Sequence, residues 1–375
     1  MIWVLWLLAG MYALLTITLW RAWATIPLTR YVSANTQPQP TITVVIPVRN
    51  EAQHLPALLA DLDQQTYPHF SVIIADDASS DNTASLATIH SQTAAYELTV
   101  LSLADDPAVA SPKKRAIAES IAQASGELIV TTDGDCRVGP HWLESIANFY
   151  DQTGAKLISG PVTFITERAV FGSLQTVEFA SLIGAGAATM ALEQPTMCNG
   201  ANLCYQRAVF ADVGGFAGVD HVASGDDELL MHKIAVRYPG GVRFLKNPDA
   251  IVETGAHQSL GAFYQQRKRW AGKWRTYTSL FPTLLAVFVF LSNLAPVVAA
   301  GYWLAGALPT WGLLGIVFTK LLPEFVYLRS ILVFLRKPWA VLWIPLTQLV
   351  YPFYVLFFGL VAQRPGLVWK GRRLN

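Results

Sequence analysis

The chain has 375 residues, of which 53% are hydrophobic and 14% are charged, and its mean hydropathy is +0.35. Soluble domains usually carry about 25% charged residues, so this chain is depleted in charge. A formal net charge of +1 gives no electrostatic basis for binding nucleic acid. The three cysteines are too few and too scattered for a disulfide framework and lack zinc-ligand spacing, which favours a reducing compartment.

The first 20 residues carry no charge and are long enough to cross a bilayer, which takes about 20 apolar residues in a helix. No basic segment precedes them and no small-residue cleavage site follows. We therefore expect a membrane anchor over residues 1–24 rather than a cleaved signal peptide. Arg21 and Arg30 come after the anchor, and positive residues favour the cytoplasmic side, so the chain that follows is predicted to be cytoplasmic.

The C-terminal part, residues 279–362, is again mostly apolar and is predicted to form transmembrane or interfacial helices. We expect two crossings and a third apolar block, at 281–304, 302–320 and 339–362. Pro345 and Pro352 allow the third block to be one crossing or a broken helical hairpin, so the number of crossings stays open. The basic tail at 363–375 is expected in the cytoplasm, and we expect the chain to be a multi-pass protein of the inner cell membrane.

Two further features have an open position relative to the membrane. Lys320 and Glu324 interrupt an apolar stretch and either pair inside the membrane or lie on an interfacial helix. Residues 171–195 are apolar and rich in small side chains, and as a helix they would lie at the membrane surface or in a domain core. An interfacial position would suit a lipid substrate.

The middle of the chain, residues 38–278, is the size of a domain and follows a polar, proline-containing linker at 34–40. Short β-rich runs alternate with helical patterns here, and the runs lie at 41–48, 70–76, 97–103 and 126–135. Strands that alternate with helices indicate an α/β fold with a mainly parallel sheet. In such sheets ligands bind beyond the carboxyl ends of the strands.

Acidic residues occupy that edge of the predicted sheet. Asp76 and Asp77 end the second strand, and Asp133 and Asp135 end the fourth. Aspartate favours turns, which is the alternative explanation for each of them taken singly. Clustered carboxylates repel one another unless a cation joins them, and oxygen ligands favour Mg²⁺ or Mn²⁺. Because Mg²⁺ commonly binds one or two carboxylates together with substrate phosphates, a nucleotide ligand is indicated.

Six short segments resemble, in order, the motifs of inverting, membrane-bound family 2 glycosyltransferases, which have a GT-A fold. They are VVIPVRNE, DDASSDNT, KKRAI, DGD, SGDDELL and QRKRW, at 44–51, 76–83, 113–117, 133–135, 224–230 and 266–270. The last one fits the family pattern Gln-x-x-Arg-Trp completely. One anchor before the domain, several apolar segments after it and the ending WKGRRL look most like the ceramide-glucosyltransferase-type branch and its bacterial relatives.

The resemblance implies a role for each motif. The first four would bind the nucleotide-sugar, through Pro47, Asn50, Glu51, Asp76, Asp77, Lys113, Asp133 and Asp135. Of these, Asp135 and Asp133 would hold the metal ion. Asp227 would be the catalytic base, in a pair that reads Asp-Asp where many members have Glu-Asp, and Asp226 is expected to cap the helix that follows. Gln266, Arg269 and Trp270 would contact the pyrophosphate and the acceptor.

The activity implied is that of an inverting hexosyltransferase that moves a sugar from a nucleotide donor, by resemblance a UDP-sugar, to a membrane lipid or lipid-linked hydroxyl. One alternative is a processive polysaccharide synthase. About 80 residues after position 280 give roughly four short crossings at most, so a polymer channel would require a homo-oligomer or a membrane partner. A second alternative is a non-catalytic membrane scaffold, against which the joint presence of all six motifs argues.

Overall fold

The computed structural model describes residues 2–29, 39–106, 109–165, 169–222, 224–272, 280–361, 367–369 and 372–374. Most of the predicted linker at 34–40 and much of the predicted basic tail at 363–375 lie outside the described residues, as does Arg30.

The helices and strands are numbered in chain order. The helices are α1 (Ile2–Thr25), α2 (Leu55–Leu62), α3 (Thr83–Ser91), α4 (Pro112–Gln123), α5 (Trp142–Thr153), α6 (Val170–Ala191), α7 (Arg207–Asp212), α8 (Glu228–Arg237), α9 (Leu260–Ala271), α10 (Leu280–Leu304), α11 (Thr310–Phe334) and α12 (Ile344–Val361). The strands are β1 (Ile42–Val48), β2 (Phe70–Asp77), β3 (Glu97–Leu103), β4 (Leu128–Thr131), β5 (Leu157–Ser159), β6 (Val162–Phe164), β7 (Leu203–Gln206), β8 (Val242–Phe244), β9 (Val252–Thr254), β10 (Leu367–Trp369) and β11 (Arg372–Leu374). Short 3₁₀ turns occupy Gly200–Asn202, Pro248–Ala250 and Pro338–Trp343.

The chain divides into two compact units. The sheet unit comprises Ile26–Ile165, Thr189–Gly255 and Lys370–Asn375, and the helical unit comprises Met1–Thr25, Thr166–Ala188 and Ala256–Trp369. This division differs from the predicted domain at 38–278, because 166–188 and the chain beyond Gly255 group with the apolar helices. The Gln-x-x-Arg-Trp motif on α9 therefore belongs to the helical unit.

The sheet unit is built on a mixed, mainly parallel sheet in the order β3-β2-β1-β4-β7-β5-β8. β1 pairs in parallel with β2 and β4, and β2 pairs in parallel with β3, whereas β7 runs antiparallel to β4 and β5. The central strands are rich in β-branched residues, and Val44, Val45 and Ile46 are fully buried, as expected of strands covered on both faces. The predicted α/β fold with a mainly parallel sheet is confirmed.

The parallel pairing places the ends of β1, β2 and β4 along one edge of the sheet. In the register of β1 with its neighbours, Val48 lies beside Asp76, and Val45 lies beside Thr131. The loops that carry the predicted site residues therefore leave the sheet at a common edge.

Asn202 joins three parts of the sheet unit and is 1% exposed. Its side-chain Nδ2 donates to the carbonyl oxygens of Pro161 and Ala250, at 2.9 and 2.8 Å, and its Oδ1 accepts from Trp142 Nε1 at 3.0 Å. All of the amide's hydrogen-bonding groups are thus used in fixing the chain that leads into β7.

Replacing Asn202 with Ala should destabilise the sheet unit, because the Ala250 carbonyl and the Trp142 indole N–H lose this partner, whereas the Pro161 carbonyl still accepts from the N–H of Val252. Each group that loses its partner costs about 1–3 kcal/mol, so we expect the free energy of unfolding to fall by roughly 2 kcal/mol or more. The measurement is thermal unfolding of the purified protein in detergent. Asn148→Ala is the matched control, because its buried Nδ2 has no hydrogen-bond partner, and equal midpoints for the two variants would contradict the assignment.

The helical unit contains three segments, within the described residues, that are long and apolar enough to cross a membrane. They are Ile2–Thr25, Thr283–Leu304 and Pro338–Val361. Leu5 and Ala9 of α1 belong to a buried apolar cluster with Ala295 and Ala299 of α10 and Ile316 of α11. The small residues allow close approach of the helices.

The crossing predicted at 302–320 is wrong in its bounds, and the helix that forms there is not among the three segments given above. The chain forms α11 from Thr310 to Phe334 instead. Gly306 adopts a φ of +68°, and Pro309 occupies the N-cap of α11, so the helix that precedes them ends at Leu304. Hydropathy does not detect this break, because the residues around it are themselves apolar. The block predicted at 339–362 forms a 3₁₀ turn followed by the single helix α12, which contains Pro352.

Lys320 and Glu324 form a buried ion pair one turn apart on α11. Lys320 Nζ lies 3.0 and 3.1 Å from the two Glu324 carboxylate oxygens, and Gln348 Nε2 of α12 donates to Oε2 at 3.2 Å. The hydroxyl of Tyr12 on α1 donates to Oε1. The cluster joins three helices by charged and polar contacts, so Lys320 and Glu324 pair with each other in the helical unit.

Candidate active site

The turn after β1 is held by the loop after β2. Asn50 has a φ of +54°, a left-handed conformation that asparagine tolerates better than most residues. Its Oδ1 accepts from the backbone N–H of Ser80 at 2.8 Å, and its own N–H donates to Ser79 Oγ at 2.9 Å. The next residue, Glu51, donates its N–H to Thr83 Oγ1 at 2.8 Å and is 7% exposed. Pro47 is half-buried within β1.

Asp76 and Asp77 end β2 and are 5% and 3% exposed. Asp76 Oδ2 accepts from the N–H of Ser79 at 3.2 Å, whereas its Oδ1 is buried without a hydrogen-bond partner. A buried carboxylate oxygen without a partner is energetically costly unless it accepts a hydrogen bond. A nucleobase N–H or a ribose hydroxyl would supply that hydrogen bond. Asp77 Oδ2 lies 3.6 Å from Nη1 of Arg49, a residue that the motif analysis does not single out.

Lys113, at the start of α4, joins two acidic segments. Its Nζ lies 2.7 Å from Asp133 Oδ1, in the loop after β4, and 3.3 Å from Asp226 Oδ2, before α8. Burial disfavours the ammonium, but the carboxylates of Asp133 and Asp226 outweigh burial and raise the pKa of Lys113 above its ordinary value. The predicted Lys113 and Asp133 are thus brought together, with Asp226 as a third member.

The structure corrects one expectation about the acidic pair, namely which of the two residues caps α8. Asp227, not Asp226, is the N-cap of α8: its Oδ1 accepts from the N–H of Glu228 at 2.7 Å. Its Oδ2 accepts from the N–H of Gly200 at 3.1 Å. The expectation that Asp226 caps the helix is wrong, because the Asp226 side chain is directed to Lys113 instead. Both positions suit aspartate, so propensity alone does not distinguish them.

Gly200 lies against this acidic cluster. A β-carbon at that position would be 3.2 Å from Asp226 Oδ2 and 3.6 Å from Lys113 Nζ. Thr131 Oγ1, at the end of β4, donates to the carbonyl of Gly200 at 2.8 Å. The segment 198–207 thus contributes a backbone N–H that orients Asp227.

The donor set at this edge fits Mg²⁺ or Mn²⁺. Asp133 and Asp135 flank Gly134 in the loop after β4 and supply only carboxylate oxygens, which hard divalent cations prefer. Two carboxylates are the number that Mg²⁺ commonly takes from protein when phosphates provide the other ligands. Within the described ranges, no group of three or more His, Cys, Asp or Glu is arranged to hold a metal ion.

The predicted Gln266, Arg269 and Trp270 lie on α9 in the helical unit, next to an arginine that the motif pattern leaves unspecified. Arg267 is 2% exposed and donates through Nη1 to Gln266 Oε1 and through Nη2 to Glu178. Its guanidinium carbon lies 4.3 Å from the centre of the Trp270 ring. Two residues of the motif therefore contact Arg267.

His257 precedes α9 and is held by its backbone. Gln175, on α6, accepts from the N–H of His257 at 3.1 Å and donates to its carbonyl at 2.9 Å. Burial lowers the pKa of the His257 imidazole; a hydrogen bond with Gln266 acts in the opposite direction, and Arg267 and Arg269 lower it further. The folded environment of His257 thus favours the neutral imidazole.

The lowered pKa of His257 predicts a loss of stability in acid. The unfolded chain binds the proton more readily than the folded one, so stability is present above the unfolded pKa of about 6.5 and is lost as the pH falls through the folded value. We expect the unfolding midpoint to fall less steeply with acidification in His257→Gln than in the wild type. His221→Gln, at a side chain 75% exposed, is the control and should keep the wild-type slope. An unchanged slope in His257→Gln would contradict the assignment.

Comparison with known proteins places these motifs in a family. The family model described as Glycosyl transferase family 21 matches residues 1–375. Among characterised relatives, the glycosyltransferase AglE of Haloferax volcanii is 27% identical over 190 residues, which are 50% of this chain and 59% of the relative. Poly-beta-1,6-N-acetyl-D-glucosamine synthase of Staphylococcus aureus is 26% identical over 238 residues, 61% of this chain and 53% of the relative. The chain thus spans little more than half the length of these relatives.

A solved structure supports the fold. The mannosyltransferase PcManGT of Pyrobaculum calidifontis, in complex with GDP-Man and Mn²⁺, aligns with a TM-score of 0.60 at 20% identity and covers 93% of this chain and 97% of its own. At that identity the likeness bears on the fold alone, and it agrees with the GT-A architecture that the motifs imply. The predictions of a glycosyltransferase and of this fold are confirmed.

Proposed function

The chain belongs to glycosyl transferase family 21, and from that membership we propose that it transfers a single sugar from a nucleoside-diphosphate donor to the hydroxyl of a membrane lipid. The observation that carries the proposal is the cluster of Lys113, Asp133 and Asp226 at the carboxyl edge of the sheet, with Asp227 beside it. A cation-stabilised group of carboxylates at this edge is suited to a phosphorylated ligand and its metal ion.

Asp227 is proposed as the general base. Two backbone N–H groups, from Gly200 and Glu228, hold its carboxylate in one orientation. A carboxylate has about four acceptor sites, so it can still accept the proton of an incoming hydroxyl. Asp226 is committed to the Lys113 ammonium, which favours Asp227 as the base. Direct displacement at the anomeric carbon would invert its configuration.

The leaving group is a nucleoside diphosphate that gains negative charge as the bond to the sugar breaks. Asp135 and Asp133 are proposed to hold Mg²⁺ or Mn²⁺, which would neutralise part of that charge when bound. Arg269 is proposed to contact a phosphate through two parallel hydrogen bonds, for which its planar guanidinium is suited. Pro47, Asn50, Glu51, Asp76 and Asp77 are proposed to bind the nucleoside, for which the buried Asp76 Oδ1 offers an acceptor.

Similarity to known proteins indicates two nucleobases for the nucleotide-sugar donor. The family resemblance implies uridine, whereas the mannosyltransferase of similar fold binds a guanosine nucleotide, GDP-Man, with Mn²⁺. Both classes of donor are therefore included in the experiment below.

A lipid acceptor is proposed because the helical unit has three segments able to span a membrane and also contains the motif helix α9. The proposed location is the inner cell membrane, with the sheet unit in the cytoplasm. Similarity to poly-beta-1,6-N-acetyl-D-glucosamine synthase supports a second candidate, a processive synthase. The two candidates differ in their product, which the experiment below measures.

The test is transfer by the purified protein in nanodiscs, given UDP-sugars or GDP-mannose, Mn²⁺ and a lipid extract of its host. We expect a lipid that gains one hexose-sized mass. In Asp227→Asn the rate should fall about 10²–10⁴-fold, the usual contribution of a general base. Asp220→Asn, at an exposed side chain, is the control and should retain activity. A ladder of masses would favour the processive synthase, and full activity of Asp227→Asn would rule out the assigned base.

Arg269→Lys should lower kcat/KM for the donor about tenfold, because an ammonium cannot make two parallel hydrogen bonds to a phosphate. The measurement is release of the nucleoside diphosphate at varied donor concentrations. Lys268→Arg, on the same helix, keeps the total charge and should leave kcat/KM within about twofold of the wild type. If Arg269→Lys had wild-type kinetics, Arg269 would not be the phosphate ligand.

A further inference from the structure

We propose that the buried ion pair of Glu178 and Arg267 positions Gln266 and Trp270 for the substrate. This inference rests on the proposed function of the motif helix α9. Arg267 occupies a place between the specified residues of the motif, so the motif pattern assigns it no role.

The pair joins three helices of the helical unit. Glu178 lies on α6, Arg267 on α9 and Tyr354 on α12, and the side chains of the pair are only 7% and 2% exposed. Arg267 Nη2 donates to one carboxylate oxygen of Glu178, and the Tyr354 hydroxyl donates to the other at 3.0 Å. Both carboxylate oxygens are therefore engaged, and Glu178 is held from two sides, by Arg267 and by Tyr354.

Arg267 contacts two residues of the motif directly. Its Nη1 donates to Gln266 Oε1 and so orients the side-chain amide, with which His257 also hydrogen-bonds. Its guanidinium plane lies over the rings of Trp270 and Phe263, at 4.3 and 4.7 Å from the ring centres. Trp270 also stacks on Phe179 of α6, with ring centres 6.2 Å apart.

Stability alone is a weak explanation for this pair. Burying two charges is costly, and apolar residues of similar volume often replace a buried ion pair without loss of stability. A planar guanidinium, in contrast, can hydrogen-bond a carboxylate and an amide while it stacks on an indole. Of the common side chains, arginine is the one that makes all of these contacts at once. Glu178 and Arg267 are therefore positioning residues for Gln266 and Trp270.

The same unit supplies a matched control. Lys320 and Glu324 also form a buried pair, with side chains 2% and 11% exposed, and they contact Tyr12 and Gln348 rather than α9. If both pairs only stabilised the fold, their removal would have similar effects on the activity of the folded enzyme.

The experiment compares the wild type with three variants of the full chain in nanodiscs. They are Arg267→Lys, the double variant Glu178→Met/Arg267→Met and the control double variant Lys320→Met/Glu324→Met. Three quantities are measured: the unfolding midpoint, kcat and KM for the donor, and the near-ultraviolet circular dichroism of Trp270. The last is taken as the difference between each protein and its Trp270→Phe counterpart.

We expect Arg267→Lys to keep the ion pair and most of the stability, yet to lose about tenfold or more in kcat/KM and to change the Trp270 signal. Glu178→Met/Arg267→Met should show the same losses, because removing both charges leaves no unpaired ion but also removes the arginine contacts to Gln266 and Trp270. The control double variant should keep kcat/KM within about twofold and leave the Trp270 signal unchanged.

Wild-type kcat/KM or an unchanged Trp270 signal in Arg267→Lys would overturn the proposal, as would equal losses in the control pair. Arg267→Lys decides the matter if either double variant fails to fold. If the wild type turned over no donor, the proposed function would fail by itself. In that case the circular dichroism signal of Trp270 alone tests the positioning role, and an unchanged signal in Arg267→Lys would overturn it.

Discussion

The ion pairs of Lys113 are the contacts on which the site in the sheet unit depends. The parallel pairing of β1, β2 and β4 sends several acidic loops to one edge, where their charges repel one another. Lys113 offsets this repulsion by pairing with Asp133 and Asp226, which follow β4 and precede α8. The segment before α8 is thereby fixed, and Asp227 is aligned with the N–H groups of Gly200 and Glu228. The Lys113 ammonium thus connects the proposed metal-binding loop to the segment that carries the proposed base.

The helical unit uses charge differently. Its two buried pairs, Lys320 with Glu324 and Glu178 with Arg267, lie among apolar helices, where an unpaired charge would be very costly. Each pair is completed by a tyrosine from another helix, Tyr12 in the first and Tyr354 in the second. The first pair joins α1, α11 and α12, whereas the second reaches the motif helix α9. Each buried charge named here is therefore paired within the unit, although Arg267 Nε is buried without a hydrogen-bond partner.

Four of the seven strands of the sheet could be predicted from the sequence, because β-branched runs between polar turns mark them directly, whereas the short strands β5, β7 and β8 were not predicted and the run at 126–135 is longer than β4. The predicted runs at 41–48, 70–76 and 97–103 agree with β1 to β3 to within one residue at each end. The acidic edge follows from the same pattern. Other features depend on contacts between distant residues and were not predictable. Burial of Arg267 requires Glu178, which is 89 residues away, and the roles of Asp226 and Asp227 depend on where Lys113 lies. The start of α11 was missed because apolar residues surround the break at Gly306.

The most direct test of the account is calorimetric titration of nucleoside diphosphate, UDP and GDP in parallel, into the wild type with Mn²⁺ and with a chelator. We expect UDP or GDP to bind at least about tenfold more tightly with Mn²⁺ than with the chelator. In Asp135→Asn the affinities with and without the metal should be equal. Equal affinity with and without the metal, or no binding of either nucleotide, would contradict the claim that the acidic edge of the sheet is a metal-dependent nucleotide-sugar site.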